Sequence, residues 1–349
     1  WPRLVHRPLP SLDPRDMIPV PPSFIAGVRR SLAHPPSGID PWFGRYYDDL
    51  GSELGLVTYL RAKQQLLGLV GGWRSVEGKR VLDAGSGFGM VSNLMAAWGA
   101  RHVLALELFP PMAETHRRVL AAHFPGLIER ISIVEGDVKR VPARPGSVDL
   151  LLSIEAISHY YDVDAFLDEC ARVVRPGGYL LISDGNNGAN PGLRRFTVDL
   201  WERYELGPAG GFGDREVGDS MLERRREIIA VRFPQLPPEQ VRTLAEGTSG
   251  MVRDEIVRAV QEHLAGGPAP AKRYRRGELP RDPLHGYVLE ALFDPPELAA
   301  RLTRRGFEAH AVPHYGGARN DLLLAADRVL RRLPSFRFAR AFRVVARRR

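Results

Sequence analysis

The chain has 349 residues, of which 44% are hydrophobic and 26% charged, the composition of an ordinary water-soluble fold. No apolar run approaches the roughly 20 residues needed to span a bilayer, and no basic start, apolar middle and small-residue cleavage site marks a signal peptide. The single cysteine, Cys170, excludes an intramolecular disulfide and a multi-cysteine zinc site, and this points to the cytoplasm. The chain begins at Trp1, not at methionine. The net charge of +8 is a feature of one end: residues 329–349 hold eight arginines and no acid, so 8 − 8 leaves residues 1–328 at zero. A nucleic-acid enzyme spreads positive charge along its substrate channel, so DNA and RNA are not the expected partners.

Seven prolines within the first 22 residues predict an extended arm, because proline fixes φ and removes a donor. We delimit this arm as residues 1–44. Residues 45–75 read as helical, with Leu56, Tyr59, Leu60, Lys63, Leu67 and Val70 at three-to-four spacing and a stop at Gly71-Gly72. The pattern then changes to short apolar runs at 80–83, 102–107, 131–135, 148–154 and 179–184, the last after a turn at Arg175-Pro176-Gly177-Gly178. Helical segments at 91–98, 111–123 and 165–174 separate them, and this alternation is the signature of an α/β fold with a doubly wound parallel sheet. Cys170 shares one helical face with Phe166, Leu167, Val173 and Val174, which makes it a core residue. From 186 to 293 the alternation is lost, and the polar, Gly/Pro-broken, helix-like stretch reads as a helical lid insertion on the carboxyl end of the sheet. At Asp294 an Asp N-cap with prolines in the first turn restarts the pattern. A strand at 307–313, a helix at 320–333 and a final strand near 342–346 return residues 294–349 to the sheet.

The chemistry concentrates at Val81-Leu82-Asp83-Ala84-Gly85-Ser86-Gly87-Phe88-Gly89. A strand that runs into alternating glycines and then a helix lets a ligand approach the backbone and the positive helix end. A dinucleotide fingerprint, G-x-G-x-x-G/A, would need a small residue at Met90; the glycine stands instead at 89. Glu107 ends the next strand, where an acid accepts from both ribose hydroxyls. Asp137 follows the third strand, and Ser153, Ile154 and Glu155 end the fourth.

The D-x-G-x-G-x-G run, the acids that follow it and the stretch from Leu167 to Asp184 resemble, in order and spacing, the class I S-adenosylmethionine-dependent methyltransferases. Within them the core is most similar to the small-molecule branch that includes ubiquinone and menaquinone-type enzymes. The resemblance covers residues 80–184 and 294–346. It implies a Rossmann-like sheet of seven strands with the last one antiparallel, in which residues 76–185 form the core that binds S-adenosylmethionine and releases S-adenosylhomocysteine. It also implies cofactor contacts from Asp83, Gly85, Ser86, Gly87 and Gly89, ribose contacts from Glu107 with Leu108 beside it, adenine contacts from Asp137 and Val138, and a cofactor-facing edge at Ser153, Ile154 and Glu155.

His159, just past the fourth strand, is the candidate general base, against the bland reading that it packs beside the cofactor. Tyr160, Tyr161, Asn186 and Tyr315 are candidate substrate contacts. Asp184-Gly185-Asn186 departs from the Asp-Asn pair with which some relatives hold Mg²⁺, so no metal is expected. The expected acceptor is a bulky small molecule such as a glycan, lipid or secondary metabolite, methylated on oxygen first or nitrogen second. A nucleic-acid methyltransferase, an NAD-dependent oxidoreductase and a non-catalytic binding protein of the same fold stay open as alternatives. For the tail, one reading makes 341–346 a buried strand whose arginines are solvated at its rim. The other makes Arg347 to Arg349 a patch for an anionic membrane, which would place the protein peripherally at that surface. Neither oligomeric state nor acceptor is legible.

Overall fold

The computed structural model describes residues 20–213, 215–316 and 335–349. The proline-rich segment before residue 20, the helix expected at 320–333 and part of the loop after Tyr315 lie outside the described residues. The chain divides into two compact units, the first made of residues up to Ile157, Asp162–Gly185 and Asp294–Arg349, the second of Ser158–Tyr161 and Asn186–Phe293.

In the first unit the expected extended arm gives way to a helix, α1 (Pro22–Ala33), with Pro22 at its first position. Proline is tolerated there because that N–H has no helical partner, and the helix is held by burial of Phe24 and Val28, Phe24 lying 5.7 Å from the Phe124 ring. Two helices follow, α2 (Trp42–Tyr46) and α3 (Glu53–Leu67), the latter capped by Ser52 Oγ, which accepts from the Gly55 N–H. Strands and helices then alternate: β1 (Arg80–Ala84), α4 (Met90–Ala97), β2 (His102–Glu107), α5 (Pro110–His123), β3 (Ile131–Glu135), β4 (Val148–Ile154), α6 (Val163–Val173) and β5 (Val174–Asp184). The second unit supplies α7 (Pro191–Leu206), β6 (Gly210–Phe212), β7 (Arg215–Val217), α8 (Met221–Arg232), α9 (Pro238–Glu246) and α10 (Arg253–Leu264); α11 (Pro295–Arg304), β8 (Phe307–His314) and β9 (Ala341–Arg348) belong again to the first.

Seven strands form one sheet in the order β3-β2-β1-β4-β5-β9-β8. The first five are mutually parallel, and β9 runs antiparallel to both β5 and β8, as the resemblance implies. Alternate residues face opposite sides: Val81, Leu150, Leu152, Leu181 and Val345 pack with Leu56, Leu60 and Leu94 from α3 and α4, while Leu82, Leu151 and Leu180 are equally buried on the other side. Both faces are covered, so the strands read as continuous apolar runs rather than as alternation. Cys170 is fully buried on α6, and burial pushes its thiol well up. Arg175-Pro176-Gly177-Gly178, expected as a turn before the strand, lies within β5. Val174 pairs with Val148, then the register shifts so that Tyr179 pairs with Leu150, with Gly177 at φ +77°. The bulge is pinned by Arg175 Nε, which donates to Asp149 Oδ1 at 2.5 Å.

The second unit is mainly helical. A short hairpin, β6–β7, occupies the glycine-rich stretch that was expected to break the helices. One of its apolar clusters is built on Ile228, Ile229, Val241, Leu244, Ile256 and Val260. Beside it stands an ion pair withdrawn from water: Arg225 Nη2 donates to Glu205 Oε1 at 2.6 Å, with both side chains 1% exposed. Arg225 Nε also donates to the Ala245 carbonyl and Ser249 Oγ to Glu205. Removing one member of such a pair strands the other charge, at a cost of about 3–5 kcal/mol, whereas an apolar pair of similar volume is often neutral. We therefore expect Arg225→Met to lose most of that amount in urea unfolding of this unit, and Arg225→Met with Glu205→Met to recover most of it; an additive double variant would contradict the pairing.

Candidate active site

The loop after β1 is built from three left-handed glycines, Gly85 (φ +71°), Gly87 (φ +55°) and Gly89 (φ +81°), a region that L side chains avoid. The three have different reasons. The N–H groups of Gly85 and Ser86 both donate to the Leu106 carbonyl, at 2.9 and 3.0 Å, tying the loop to the end of β2. At Gly87 a Cβ would meet nothing within 4 Å, so that face of the loop is open to a ligand. At Gly89 a Cβ would strike the His116 ring at 2.1 Å, so this glycine answers to packing from α5. His116 is fully buried and its Nε2 faces Asn93 Oδ1 at 3.0 Å. Burial pushes its pKa down to about 3, so the ring is neutral and the Nε2–H donates to the Asn93 oxygen.

Glu107 ends β2 with its carboxylate 6% exposed and clamps two backbone donors. Gly87 N–H gives to Oε2 at 2.7 Å and Phe109 N–H to Oε1 at 2.9 Å. Asp83, at 2% exposure, accepts from Ser92 Oγ at 2.6 Å. The Ser86 hydroxyl oxygen is buried with no hydrogen-bond partner among the described residues. An unmet hydroxyl beside an open glycine face fits a polar ligand laid along this loop.

The remaining cofactor candidates line the carboxyl ends of β2, β3 and β4, where ligands bind in such sheets. Leu108 is 42% exposed and Val138 is buried. Asp137 is partly open: its Oδ1 accepts from the Lys139 N–H at 2.9 Å, and Lys139 Nζ lies 3.2 Å from Oδ2. Ser153 is fully buried, and Ile154 closes the strand. Glu155 takes φ +51°, a costly value for a non-glycine residue, and its carboxylate accepts from the Gly185 N–H at 3.1 Å.

Of the other candidates, Tyr315 belongs to the first unit and donates its hydroxyl to the Ser335 carbonyl at 2.8 Å. His159, Tyr160, Tyr161 and Asn186 belong to the second. There residues 158–161 run beside 288–291: the Ala291 N–H donates to the Ser158 carbonyl, and His159 Nδ1 lies 3.2 Å from the Val288 carbonyl. The Arg281 guanidinium covers the Tyr161 ring at 3.6 Å, and Asn186 Nδ2 donates to Glu290 Oε2 at 2.6 Å. No group of three His, Cys, Asp or Glu side chains is arranged to hold a metal among the described residues. None of their helices is long and apolar enough to cross a membrane.

Three groups escaped the sequence reading. Tyr46 of α2 meets the Phe88 ring of the glycine loop at 5.7 Å. Lys63, counted above as one position of an apolar stripe, feels the charges of Glu155 and Asp83. Arg343 was expected to be solvated at a strand rim and is 3% exposed, because β9 lies between β5 and β8 rather than at an edge. The one signal available was a lysine on an otherwise apolar helix face.

Residues 82–182 match the family model described as a methyltransferase domain. With the sheet order and glycine loop above, this part of the chain is a class I S-adenosylmethionine-dependent methyltransferase domain. Its curated relatives include the dimethylglycine N-methyltransferase of Parasynechococcus marenigrum, 31% identical over 35% of this chain and 44% of that protein. The malonyl-[acyl-carrier protein] O-methyltransferase of Methylococcus capsulatus is 39% identical over 30% and 36%. The ubiquinone biosynthesis O-methyltransferase of Xylella fastidiosa is 32% identical over 32% and 44%. The matched region spans less than half the length of each of these relatives.

Burial raises the pKa of Asp83 from 3.8 to about 6, against the pull of Ser92 and Lys63. The folded state therefore holds this proton more tightly than the unfolded chain, and stability falls as pH rises from about 4 to 6. At about 1.4 kcal/mol per unit the loss is of the order of 3 kcal/mol. Asp83→Asn keeps an oxygen for Ser92 and removes the titration. It should raise the melting temperature at pH 7.5 and leave it nearly unchanged at pH 4; an equal shift at both pH values would refute the assignment.

Proposed function

We propose that this chain transfers the methyl group of S-adenosylmethionine to a small-molecule acceptor, on oxygen as first choice and nitrogen as second. The observation that carries the reading is the open face at Gly87, next in the chain to the buried Ser86 hydroxyl and hydrogen-bonded through its N–H to the Glu107 carboxylate. S-adenosylmethionine supplies an already electrophilic sulfonium methyl, so the protein's part is to position the two reactants, worth roughly 7–11 kcal/mol. In this reading Gly85, Ser86 and Gly87 present the loop to the cofactor's amino-acid end and Gly89 lets that loop pack. Glu107 accepts from the ribose hydroxyls, and Asp137 and Val138 meet the adenine beside Leu108. The ends of β4 at Ser153, Ile154 and Glu155 border the methyl. Support for a small acceptor comes from the relatives, which include both O- and N-methyltransferases. A glycan, lipid or secondary metabolite is the acceptor class we favour.

Tyr160, Tyr161 and Asn186 of the second unit, and Tyr315 of the first, are each read as candidate acceptor contacts. His159 is the proposed base where the nucleophile carries a proton. Its Nδ1 donates to the Val288 carbonyl, which leaves the lone pair of the neutral ring on Nε2. Arg347 and Arg349 are exposed, and we read them as a weak electrostatic contact to an anionic membrane, while Arg348 is engaged with the Arg305 carbonyl and the Phe307 ring.

Calorimetry should show binding of S-adenosylmethionine and S-adenosylhomocysteine and none of NADH; absence of heat with both sulfur compounds ends this reading. Gly87→Asp should abolish that binding by filling the open face, and Glu107→Ala should weaken it by about tenfold or more. With a turned-over acceptor, His159→Ala should cut kcat by about 10²–10⁴-fold while cofactor affinity holds; a loss of only a few-fold would return His159 to packing. Co-sedimentation with anionic vesicles that salt abolishes would support the arginine contact, and equal recovery with neutral vesicles would remove it.

A further inference from the structure

The aromatic residues of α2 and its end stand against the glycine loop, and they differ in what they face. Phe43 and Tyr47 are buried, as is Phe88 of the loop itself. The Phe43 ring meets the Phe88 ring edge to face at 5.7 Å, and Tyr47 meets Phe43 in the same way at 5.4 Å. Tyr46 packs on this cluster, 4.9 Å from the Tyr47 ring and 5.7 Å from the Phe88 ring, with ring planes 89° and 70° apart. It nevertheless keeps 57% of its surface open. Buried rings thus fix an open ring against Phe88, the residue that follows the open face at Gly87. Tyr46 lies outside the residues 82–182 that carry the domain motifs.

The end of the sheet beside that ring is acidic. Parallel register sets Ala84 opposite Leu106 and Asp83 opposite Leu152, so Asp83, Glu107 and Glu155 gather at the carboxyl ends of the adjacent strands β1, β2 and β4. Burial raises the Tyr46 pKa, and the charges of Glu155, Glu107 and Asp83 raise it further. A side chain with an open surface and a desolvated hydroxyl lines a recess rather than a convex face.

We propose that the Tyr46 ring is an aromatic wall for the cofactor's sulfonium and selects the methyl donor over its thioether product, which lacks that charge. This rests on the S-adenosylmethionine reading of the glycine loop. The face of an aromatic ring carries the negative part of its quadrupole and attracts a cation, more strongly where water is excluded. The acids at the strand ends favour the same charge, while Lys63, which feels Glu155 and Asp83 from α3, offsets part of their field. The ring has no charge for Lys63 to neutralise, so the discrimination falls to it. Tyr46 supplies no proton and forms no bond; it holds the donor and lets the product exchange.

The test measures affinity by calorimetry on the full chain. Its ligands are S-adenosylmethionine, S-adenosylhomocysteine and sinefungin, which carries an ammonium where the donor carries sulfonium. Tyr46→Leu should weaken S-adenosylmethionine and sinefungin by about tenfold, equivalent to about 1.4 kcal/mol, while S-adenosylhomocysteine holds. Tyr46→Phe should keep the wild-type ratios, since the face and not the hydroxyl carries the attraction. Tyr46→Met has similar reach without a π face and should repeat the leucine result; it replaces that variant if the latter fails to fold. Equal weakening of all three ligands in the non-aromatic variants overturns the proposal and makes Tyr46 a packing residue. Unchanged affinity for all three also overturns it. So does a loss in Tyr46→Phe as large as in Tyr46→Leu, which would move the role to the hydroxyl. Failure of the wild type to bind any of the three would instead sink the reading of the loop as an S-adenosylmethionine site.

Discussion

The Glu107 carboxylate takes one backbone N–H from the loop after β1 and another from the loop after β2, and the geometry of the ligand end of the sheet follows from that clamp. Parallel pairing sets Ala84 opposite Leu106, so the two loops leave the sheet side by side, each with N–H groups that no strand can satisfy. A carboxylate there meets them with charge-assisted bonds, roughly twice as strong as neutral ones. It also leaves a negative oxygen pair at the lip of the open glycine. Buried at 6% exposure, Glu107 is costly to hold unless it is hydrogen-bonded. The same bonds that stabilise it therefore shape the site, and the left-handed Gly87 is the residue that lets its N–H turn inward.

Around that clamp the domain accumulates groups that are unfavourable for stability alone. Asp83 is a carboxyl forced toward its protonated form, the Ser86 and Tyr59 hydroxyls are buried without partners among the described residues, and Glu155 holds a left-handed backbone. Each costs of the order of 1–3 kcal/mol. Such costs persist where the surrounding packing over-determines the geometry, and here the strands beneath are apolar on both faces. The second unit follows a different economy. A withdrawn Arg225–Glu205 pair and exposed pairs such as Arg276 with Asp199 and Glu202 tie its segments.

The glycine motif illustrates how one sequence pattern serves two masters. Read along the chain, Gly85, Gly87 and Gly89 are equivalent members of a ligand loop. In space Gly87 faces open room, whereas Gly89 yields to a neutral histidine supplied by α5, 27 residues further on. Nothing in the spacing separates those reasons, because the constraint at Gly89 comes from a side chain that the fold brings in.

The sequence alone determined the alternation from Arg80 to Asp184, the glycine loop and the acids at Glu107 and Glu155. All of these are local: apolar runs, turn residues and short spacings are written where they act. Tertiary structure decided what depends on partners far along the chain. Pro22–Ala33 became a helix because Phe24 and Val28 found apolar cover near Phe124, which overrode the extended bias of the prolines around it. The Arg175–Gly178 turn was absorbed into a bulge because Val174 found Val148. Arg343 moved from a solvated rim to the interior because β9 was inserted between β5 and β8. Sequence periodicity reports which face a residue takes, but not what charge the facing element brings to it.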